Sequence, residues 1–258
     1  MLFTLSPAKK LDYDTPVDTT DATQPLFVAQ AGQLIDILKN KSSQDIASLM
    51  SLSEALAELN ARRYAEWQPV FTAEDSRPAI RAFNGDVYEG LDAASLSGAD
   101  LDWMQEHLVI LSGLYGALRP LDLMRPYRLE MGTRLAVGRA RNLYQFWDGT
   151  IAAYLNERLS AQPGERVLVN LASEEYFKSV RRDVLQARVV HCVFEDWKRD
   201  TYKVISFHAK RARGLMMRFA TEQRARTPDD LRAFNLEGYA YDDSVSEGDR
   251  LVFRRKAE

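Results

Sequence analysis

Short apolar runs alternate along the chain with longer segments in which apolar residues recur every three or four positions. The runs are rich in β-branched residues and have the length of strands. They lie at residues 2–5, 108–111, 166–171, 189–194 and 203–207. Two further runs, 239–241 and 251–255, flank an acidic turn that contains glycine, so they predict a closing hairpin.

The segments with helical periodicity predict helices between these strands. They cover residues 26–38, 43–50, 53–67, 100–107, 142–159 and 228–235. Ser42 and Thr227 are suited to cap the second and the last of them. Residues 14–24 are polar and predict a surface loop. The alternation predicts an α/β (mixed α+β) fold with a central, mainly parallel sheet flanked by helices.

Length and composition limit the number of domains and the cellular location that we expect. The 258 residues contain no repeat, low-complexity tract or linker, so we expect a single domain over residues 1–258. No apolar run approaches the ~20 residues that cross a bilayer, and the first residues lack the basic flank of a secretory signal. We therefore expect a cytoplasmic protein, a monomer, without a membrane partner. The single cysteine, Cys192, excludes an internal disulfide.

The formal net charge of −3 hides a segregation of charge along the chain. Residues 119–141 contain six arginines and two acids, and residues 203–218 contain five Lys/Arg and no acid. A basic face on an acidic protein indicates a polyanionic or phosphorylated ligand.

Polar clusters follow four of the predicted strands. Because the carboxyl ends of parallel strands meet at one edge of a sheet, we expect these clusters to line a common basic cleft. The clusters are Ser6/Lys9/Lys10, Ser112/Tyr115/Arg119, Ser173/Glu175/Tyr176/Lys178 and His208/Lys210/Arg211/Arg213. The predicted DNA- or phosphate-binding set has aromatic neighbours that are available to stack on bases. Its members are Ser6, Lys9, Lys10, Ser112, Tyr115, Arg119, Arg125, Arg128, Lys178, His208, Lys210, Arg211 and Arg213.

The segment 109–135 concentrates arginines and prolines behind a Ser-Gly turn. Arginines on a stiff path suit phosphate or carboxylate, because each guanidinium can donate two parallel hydrogen bonds. The alternative is a surface loop held by internal ion pairs, with Asp122 and Glu130 as the partners. The glycines at 113 and 116 also suggest a helix-hairpin-helix element that presents backbone N–H groups to DNA.

Catalytic chemistry is less clearly indicated. No phosphate-binding loop, dinucleotide-binding, zinc-protease or nucleophile-elbow motif is present. The three histidines are far apart in sequence, so we expect no metal site and no cofactor. Glu175 and His208 are the candidates for proton transfer if the cleft acts on a nucleotide or another phosphorylated small molecule. Asp86 and Glu89, beside the Asn84-Gly85 turn, are either solvated turn acids or cleft residues.

Six blocks together resemble the bacterial YaaA family of peroxide-stress proteins. They are SPAKKLD (6–12), FNGDVYEG (83–90), LSGLYGALRPLD (111–122), RPYRLEMG (125–132), NLASEEY (170–176) and FHAKRARG (207–214). The blocks span nearly the whole chain in the family's order. The resemblance implies a family-specific fold, DNA binding through a basic cleft and a helix-hairpin-helix-like element. It also implies a part in the hydrogen peroxide response that limits free intracellular iron.

Overall fold

A computed structural model describes residues 1–17 and 21–256 of the chain. Positions 18–20 of the predicted loop 14–24 lie outside the described residues. The strands are β1 (Leu2–Leu5), β2 (Lys10–Leu11), β3 (Arg77–Pro78), β4 (Phe83–Asn84), β5 (Leu108–Ser112), β6 (Gly116–Leu118), β7 (Leu123–Met124), β8 (Val167–Asn170), β9 (Arg188–Lys198), β10 (Thr201–Lys203), β11 (Ala240–Tyr241) and β12 (Arg250–Arg255).

The main sheet has the strand order β11-β12-β9-β8-β1-β5-β6, with β10 paired to the long strand β9. The four inner pairings, β12 with β9, β9 with β8, β8 with β1 and β1 with β5, are parallel. Antiparallel strands β6, β10 and β11 complete the sheet. The predicted mainly parallel sheet is therefore confirmed, as is the closing hairpin of β11 and β12.

Helices flank this sheet, which confirms the mixed α/β class. They are α1 (Val28–Lys39), α2 (Ser43–Met50), α3 (Glu54–Glu66), α4 (Ala79–Ala82), α5 (Asp86–Leu91), α6 (Gly98–His107), α7 (Leu143–Trp147), α8 (Thr150–Ser160), α9 (Glu174–Phe177) and α10 (Ser206–Gln223). Ser42 caps α2 as expected, because its hydroxyl accepts a hydrogen bond from the Asp45 N–H while the Asp45 carboxylate accepts one from Ser42. The last predicted helix is a 3₁₀ segment, Pro228–Ala233.

The sheet forms the centre of the core. Strands β1, β5 and β8 are buried along their whole length, which accounts for their uninterrupted apolar sequence. Buried apolar side chains from Met1 to Phe253 form one contiguous cluster around them. No helix in the described ranges is long and apolar enough to span a bilayer.

Two predicted elements are wrong in detail. The run 203–207 is not a strand, because β10 ends at Lys203 and α10 begins at Ser206. Its strand-like composition reflects exposed side chains, since Val204 and Phe207 are more than half exposed and do not enter the core. The predicted helix 142–159 is two helices, because Asp148 adopts a positive φ of 38° between α7 and α8.

A close crossing of α5 and α10 fixes the position of the basic helix α10. A Cβ atom on Gly214 would lie 1.8 Å from the carbonyl oxygen of Val87, and one on Gly90 would lie 2.2 Å from that of Arg211. Only glycine allows backbones to approach this closely. The crossing therefore brings the first half of α10 against the Asn84-Gly85 turn that precedes α5.

Candidate anion-binding cleft

Three of the four predicted clusters meet at one hollow of about 420 Å³, which we call the cleft. Five separate segments contribute to it: the chain after β1, the turn before α5 with the first residues of α5, the segment 125–132, the start of α9 and the first half of α10. Its lining includes Ser6, Lys9, Lys10, Asn84, Asp86, Glu130, Ser173, Glu175, Tyr176, Lys210 and Arg213. These residues are separated by up to about 200 positions in sequence. The ends of the parallel strands β1 and β8 bring two of the segments together, and the crossing of α5 and α10 adds Lys210 and Arg213.

Hydrogen bonds between two neighbouring strand ends form the floor of the cleft. The Ser6 hydroxyl accepts a hydrogen bond from the Ser173 N–H at 2.8 Å, and the two hydroxyl oxygens lie 3.2 Å apart. The Tyr88 hydroxyl of α5 donates to the Ser6 carbonyl oxygen at 3.0 Å. The segments after β1 and β8 and the helix α5 are thus held in a fixed relation.

Three cations at the cleft make no ion pair or hydrogen bond through their side chains within the described ranges: Lys10, Lys210 and Arg213. Both lysines are exposed, and Arg213 is partly buried. Burial lowers the pKa of Arg213, but a guanidinium remains protonated at neutral pH. Lys9 is 68% exposed and lies 3.9 Å from a Glu130 carboxylate oxygen, which is a weak interaction. These groups are available to an anionic ligand.

Acids moderate the positive charge of the cleft. Glu130 accepts a hydrogen bond from Nε of Arg128 at 2.9 Å, and Glu175 accepts one from the Gly132 N–H at 3.0 Å. Asp86 lies in the first turn of α5 and lines the cleft, whereas Glu89 lines a separate hollow. Of the two turn acids, only Asp86 is therefore a cleft residue.

The cluster after β5 is not part of the cleft. Ser112 and Tyr115 are fully buried. The Ser112 and Tyr127 hydroxyls are hydrogen-bonded at 2.6 Å, and the Tyr115 hydroxyl accepts from Nε1 of Trp67 at 3.0 Å. Burial raises the pKa of Tyr115. Both side chains serve packing, and we remove them from the ligand-binding set.

Three of the four arginines of the segment 109–135, namely Arg119, Arg125 and Arg128, form internal ion pairs, as expected for a loop held by such pairs. Arg119 donates from Nη2 to Asp122 at 2.8 Å, and Asp122 is only 1% exposed. Arg125 pairs with Asp75 and also donates to the Val70 carbonyl at 3.1 Å. Arg119 lines a different hollow, and Arg128 reaches the cleft only through its pair with Glu130. This stiff segment therefore stabilises the fold next to the cleft.

The two glycines of this segment provide room for protein groups. A Cβ on Gly113 would lie 2.1 Å from the Leu129 carbonyl oxygen. Gly116 has a φ of 68°, and a Cβ there would lie 2.6 Å from the Trp147 ring. Residues 113–115 connect the antiparallel strands β5 and β6, so this segment is a β-hairpin and not the suggested helix-hairpin-helix.

Other predicted residues lie outside the cleft. His208 is 200° around α10 from Lys210, and its Nδ1 lies 3.2 Å from Oδ1 of Asp196 without hydrogen-bond geometry. Arg211 pairs with Glu237 at 2.6 Å. Lys178 lies 5.1 Å from the centre of the Tyr144 ring. Of the two proton-transfer candidates, the cleft contains Glu175 and not His208.

Two cleft residues, Asn84 and Ser173, are absent from the predicted binding set. The sequence places Ser173 in one of the four polar clusters and Asn84 in a turn. The available signal was their position within the blocks 83–90 and 170–176. The single thiol does not line the cleft; Cys192 is 6% exposed, and burial raises its pKa to about 12. Within residues 1–17 and 21–256, no three His, Cys, Asp or Glu side chains are grouped to hold a metal ion.

Comparison with known proteins gives two results. A family model described as peroxide stress protein YaaA matches residues 1–245. The chain is 64% identical to a UPF0246 protein of Bordetella avium over 258 residues and 66% identical to one of Bordetella petrii over 257 residues, each alignment covering all of both chains. A UPF0246 protein of Polaromonas naphthalenivorans is 63% identical over 255 residues, which is 99% of this chain and 98% of the relative.

Proposed function

This chain belongs to the peroxide stress protein YaaA family, and from that premise we propose that it acts in the peroxide response by binding DNA through the cleft. The binding is to phosphates of duplex or distorted DNA, with little base specificity. The proposal includes the consequences that the family resemblance implies, namely lower free intracellular iron and less oxidative damage. The helix-hairpin-helix-like element that the family resemblance implies stays a prediction.

The observation that carries the proposal is the convergence of Lys10, Lys210 and Arg213 on one hollow, where none of the three forms an ion pair with a described residue. A folded protein gains little by collecting like charges that pair with nothing, because their mutual repulsion opposes folding. An anion in the cleft would remove that repulsion. The lysines are flexible point charges suited to a phosphate backbone, and the half-buried guanidinium adds a directional donor.

The mixed lining sets the expected strength of binding. With Lys9 included, four cations are available, so a DNA strand that engages all of them gives a slope of log affinity against log salt of about −3.6. Affinity then falls about 150-fold between ~50 and ~200 mM salt. Asp86 and Glu175 reduce this value, so we expect moderate rather than tight binding.

The test is fluorescence anisotropy with a labelled duplex at a series of salt concentrations. The double variant Lys10→Gln/Lys210→Gln should weaken binding at low salt and reduce the slope to about −1.8, since two phosphate contacts are lost. Arg62→Gln is the matched control, because Arg62 is an exposed, unpaired cation on α3 within the described ranges. Equal slopes for the wild type and the double variant would contradict the proposal.

A second function, an enzyme acting on a nucleotide or another phosphorylated small molecule, is favoured by one feature of the same cleft. Binding to the phosphates of DNA does not require carboxylates, yet Glu175 and Asp86 line the cleft beside the Ser6 hydroxyl. In this alternative Lys9, Lys10 and Lys210 hold the phosphate and Glu175 moves a proton. Glu175→Gln would abolish turnover in the alternative, whereas it would strengthen DNA binding in the leading proposal because it removes a repulsive charge.

A further inference from the structure

A second hollow lies on the other side of Arg213 from the cleft. It has a volume of about 550 Å³ and is formed by the end of β8, the helix α9 with the turn after it, and the first half of β9. Arg213 lines both hollows. We call this second hollow the β8–β9 pocket. It shares Arg213 with the cleft but none of the lysines at residues 9, 10 and 210.

The cations that line the β8–β9 pocket, Lys178, Arg181, Arg182 and Arg213, outnumber its two acids, Glu174 and Asp183. Arg181 is neutralised, because it pairs with both Asp148 and Asp183. Arg182 and Arg213 have no ion pair or side-chain hydrogen bond with any described residue. Burial lowers the pKa of Arg213, and no carboxylate compensates for this cost. Two guanidinium groups are thus left for a ligand.

His191 adds a neutral donor at the same place. Its Nδ1 lies 3.3 Å from the amide nitrogen of Asn170, whose carbonyl oxygen accepts from Thr4 Oγ1 at 3.2 Å and from the Ala172 N–H at 2.9 Å. These acceptor roles assign the Asn170 nitrogen as a donor, so His191 Nδ1 accepts and the ring proton is on Nε2. Burial and the nearby Arg182 lower the pKa of His191. A neutral imidazole with a free N–H is a hydrogen-bond donor for an oxyanion.

The rest of the lining is apolar. Phe177 packs edge to face with the His191 ring at a centroid distance of 5.6 Å, and Val180 and Val193 extend this wall. A hollow with an apolar wall and convergent polar donors at one end is typical of sites for small organic ligands. Inorganic phosphate alone would leave the apolar wall without a partner.

We propose that the β8–β9 pocket binds a small phosphate monoester with a planar apolar part, of the size of a nucleoside monophosphate. Arg182, Arg213 and His191 hold the phosphate, and the planar group lies against Phe177 and Val180. No group is transferred. The site is distinct from the cleft, and its existence does not depend on DNA binding.

Arg213 couples the two hollows. A phosphate in the β8–β9 pocket recruits the guanidinium that the cleft would otherwise use, so the two ligands weaken each other's binding by the same factor. This coupling, unlike the pocket itself, rests on the function proposed for the cleft.

Isothermal titration calorimetry with AMP as the probe, and adenosine and inorganic phosphate as comparisons, tests the pocket. We expect AMP to bind more tightly than either by about tenfold or more, since each misses half of the site. Arg182→Gln and Arg213→Gln should each weaken AMP about tenfold or more through loss of charge-assisted hydrogen bonds. Arg62→Gln should leave AMP affinity within about twofold of the wild type. Arg182 is exposed in a turn, so its substitution tests the pocket even if Arg213→Gln disturbs folding.

The outcomes separate the two proposals. If AMP does not bind, or if Lys10→Gln weakens it as much as Arg182→Gln does, the β8–β9 pocket is not the site and the inference is wrong. Labelled-duplex binding measured on the same variants is independent of this result: Arg182→Gln should retain it and Arg213→Gln should lose part of it. AMP should weaken duplex binding several-fold in the wild type and leave Arg182→Gln unaffected. AMP binding without any duplex binding would support the pocket and contradict the function proposed for the cleft.

Discussion

The crossing of α5 and α10 makes a sharp prediction for Gly214→Ala. At an exposed helical position this change stabilises a protein by ~1 kcal/mol, because alanine has the higher helix propensity. Here the added methyl group would lie 1.8 Å from the Val87 carbonyl oxygen and 2.8 Å from the Leu91 nitrogen. Both obstacles are backbone atoms, so no rotamer change relieves the clash and one helix must move by more than 1 Å.

The cost of the clash and the gain in helix propensity together give the expected change in the free energy of unfolding. Overpacking of a core costs ~1–3 kcal/mol, and a backbone clash belongs at or above the upper end of that range. Subtracting the gain in helix propensity leaves a loss of about 2 kcal/mol in the free energy of unfolding, or a melting temperature lower by ~4–8 °C. Displacement of α10 should also weaken DNA binding, since Lys210 and Arg213 move relative to Asn84 and Asp86.

Urea denaturation followed by circular dichroism measures the change, with Gly98→Ala as the matched control. Gly98 is the first residue of α6, and a Cβ there would have no atom within 4 Å. The control should equal the wild type or exceed it slightly. If Gly214→Ala is as stable as Gly98→Ala, the close crossing does not exist in solution and the argument that it positions the cleft fails.

Two further predictions follow from internal interactions. Arg119→Gln should lower the free energy of unfolding by about 2 kcal/mol, because Asp122 stays buried with its main counter-ion removed. It should leave duplex affinity at 100 mM salt unchanged within about twofold. Thermal denaturation and anisotropy measure the two effects, and a stable variant with lost DNA binding would contradict the structural role of Arg119. Cys192 should react with Ellman's reagent at pH 8 only after denaturation, because burial raises its pKa to about 12; rapid reaction of the native protein would contradict the burial.

The fold could be read from the sequence to the extent that burial produces a local pattern. Fully buried strands such as β1, β5 and β8 appear as uninterrupted apolar runs, and the Ser42 cap is a local hydrogen-bond motif. The run 203–207 was wrongly predicted to be a strand, because the exposed side chains of Val204 and Phe207 give it the composition of a buried strand. The break at Asp148 left no mark in the helical periodicity.

The candidate site was predictable at the level of segments and not of side chains. The ends of predicted strands indicated two segments that line the cleft, the residues after β1 and the start of α9, whereas the residues of α10 were assigned from a strand that does not exist. The arginines of 119–128 could not be assigned from sequence, because a guanidinium that holds a buried Asp122 and one that awaits a ligand share the same local composition. Likewise His208 and Lys210 are neighbours in sequence but lie on opposite faces of α10, and whether a helix begins at Ser206 decides this.

Lysine footprinting of the intact protein with and without duplex DNA, read by mass spectrometry, tests most directly whether DNA binds in the cleft. We expect DNA to reduce the modification of Lys9, Lys10 and Lys210 and to leave Lys41 and Lys203 unchanged, since of these five lysines the cleft contains only the first three. Protection of Lys203 in place of Lys10 and Lys210, or no protection at a DNA concentration that saturates anisotropy, would contradict it.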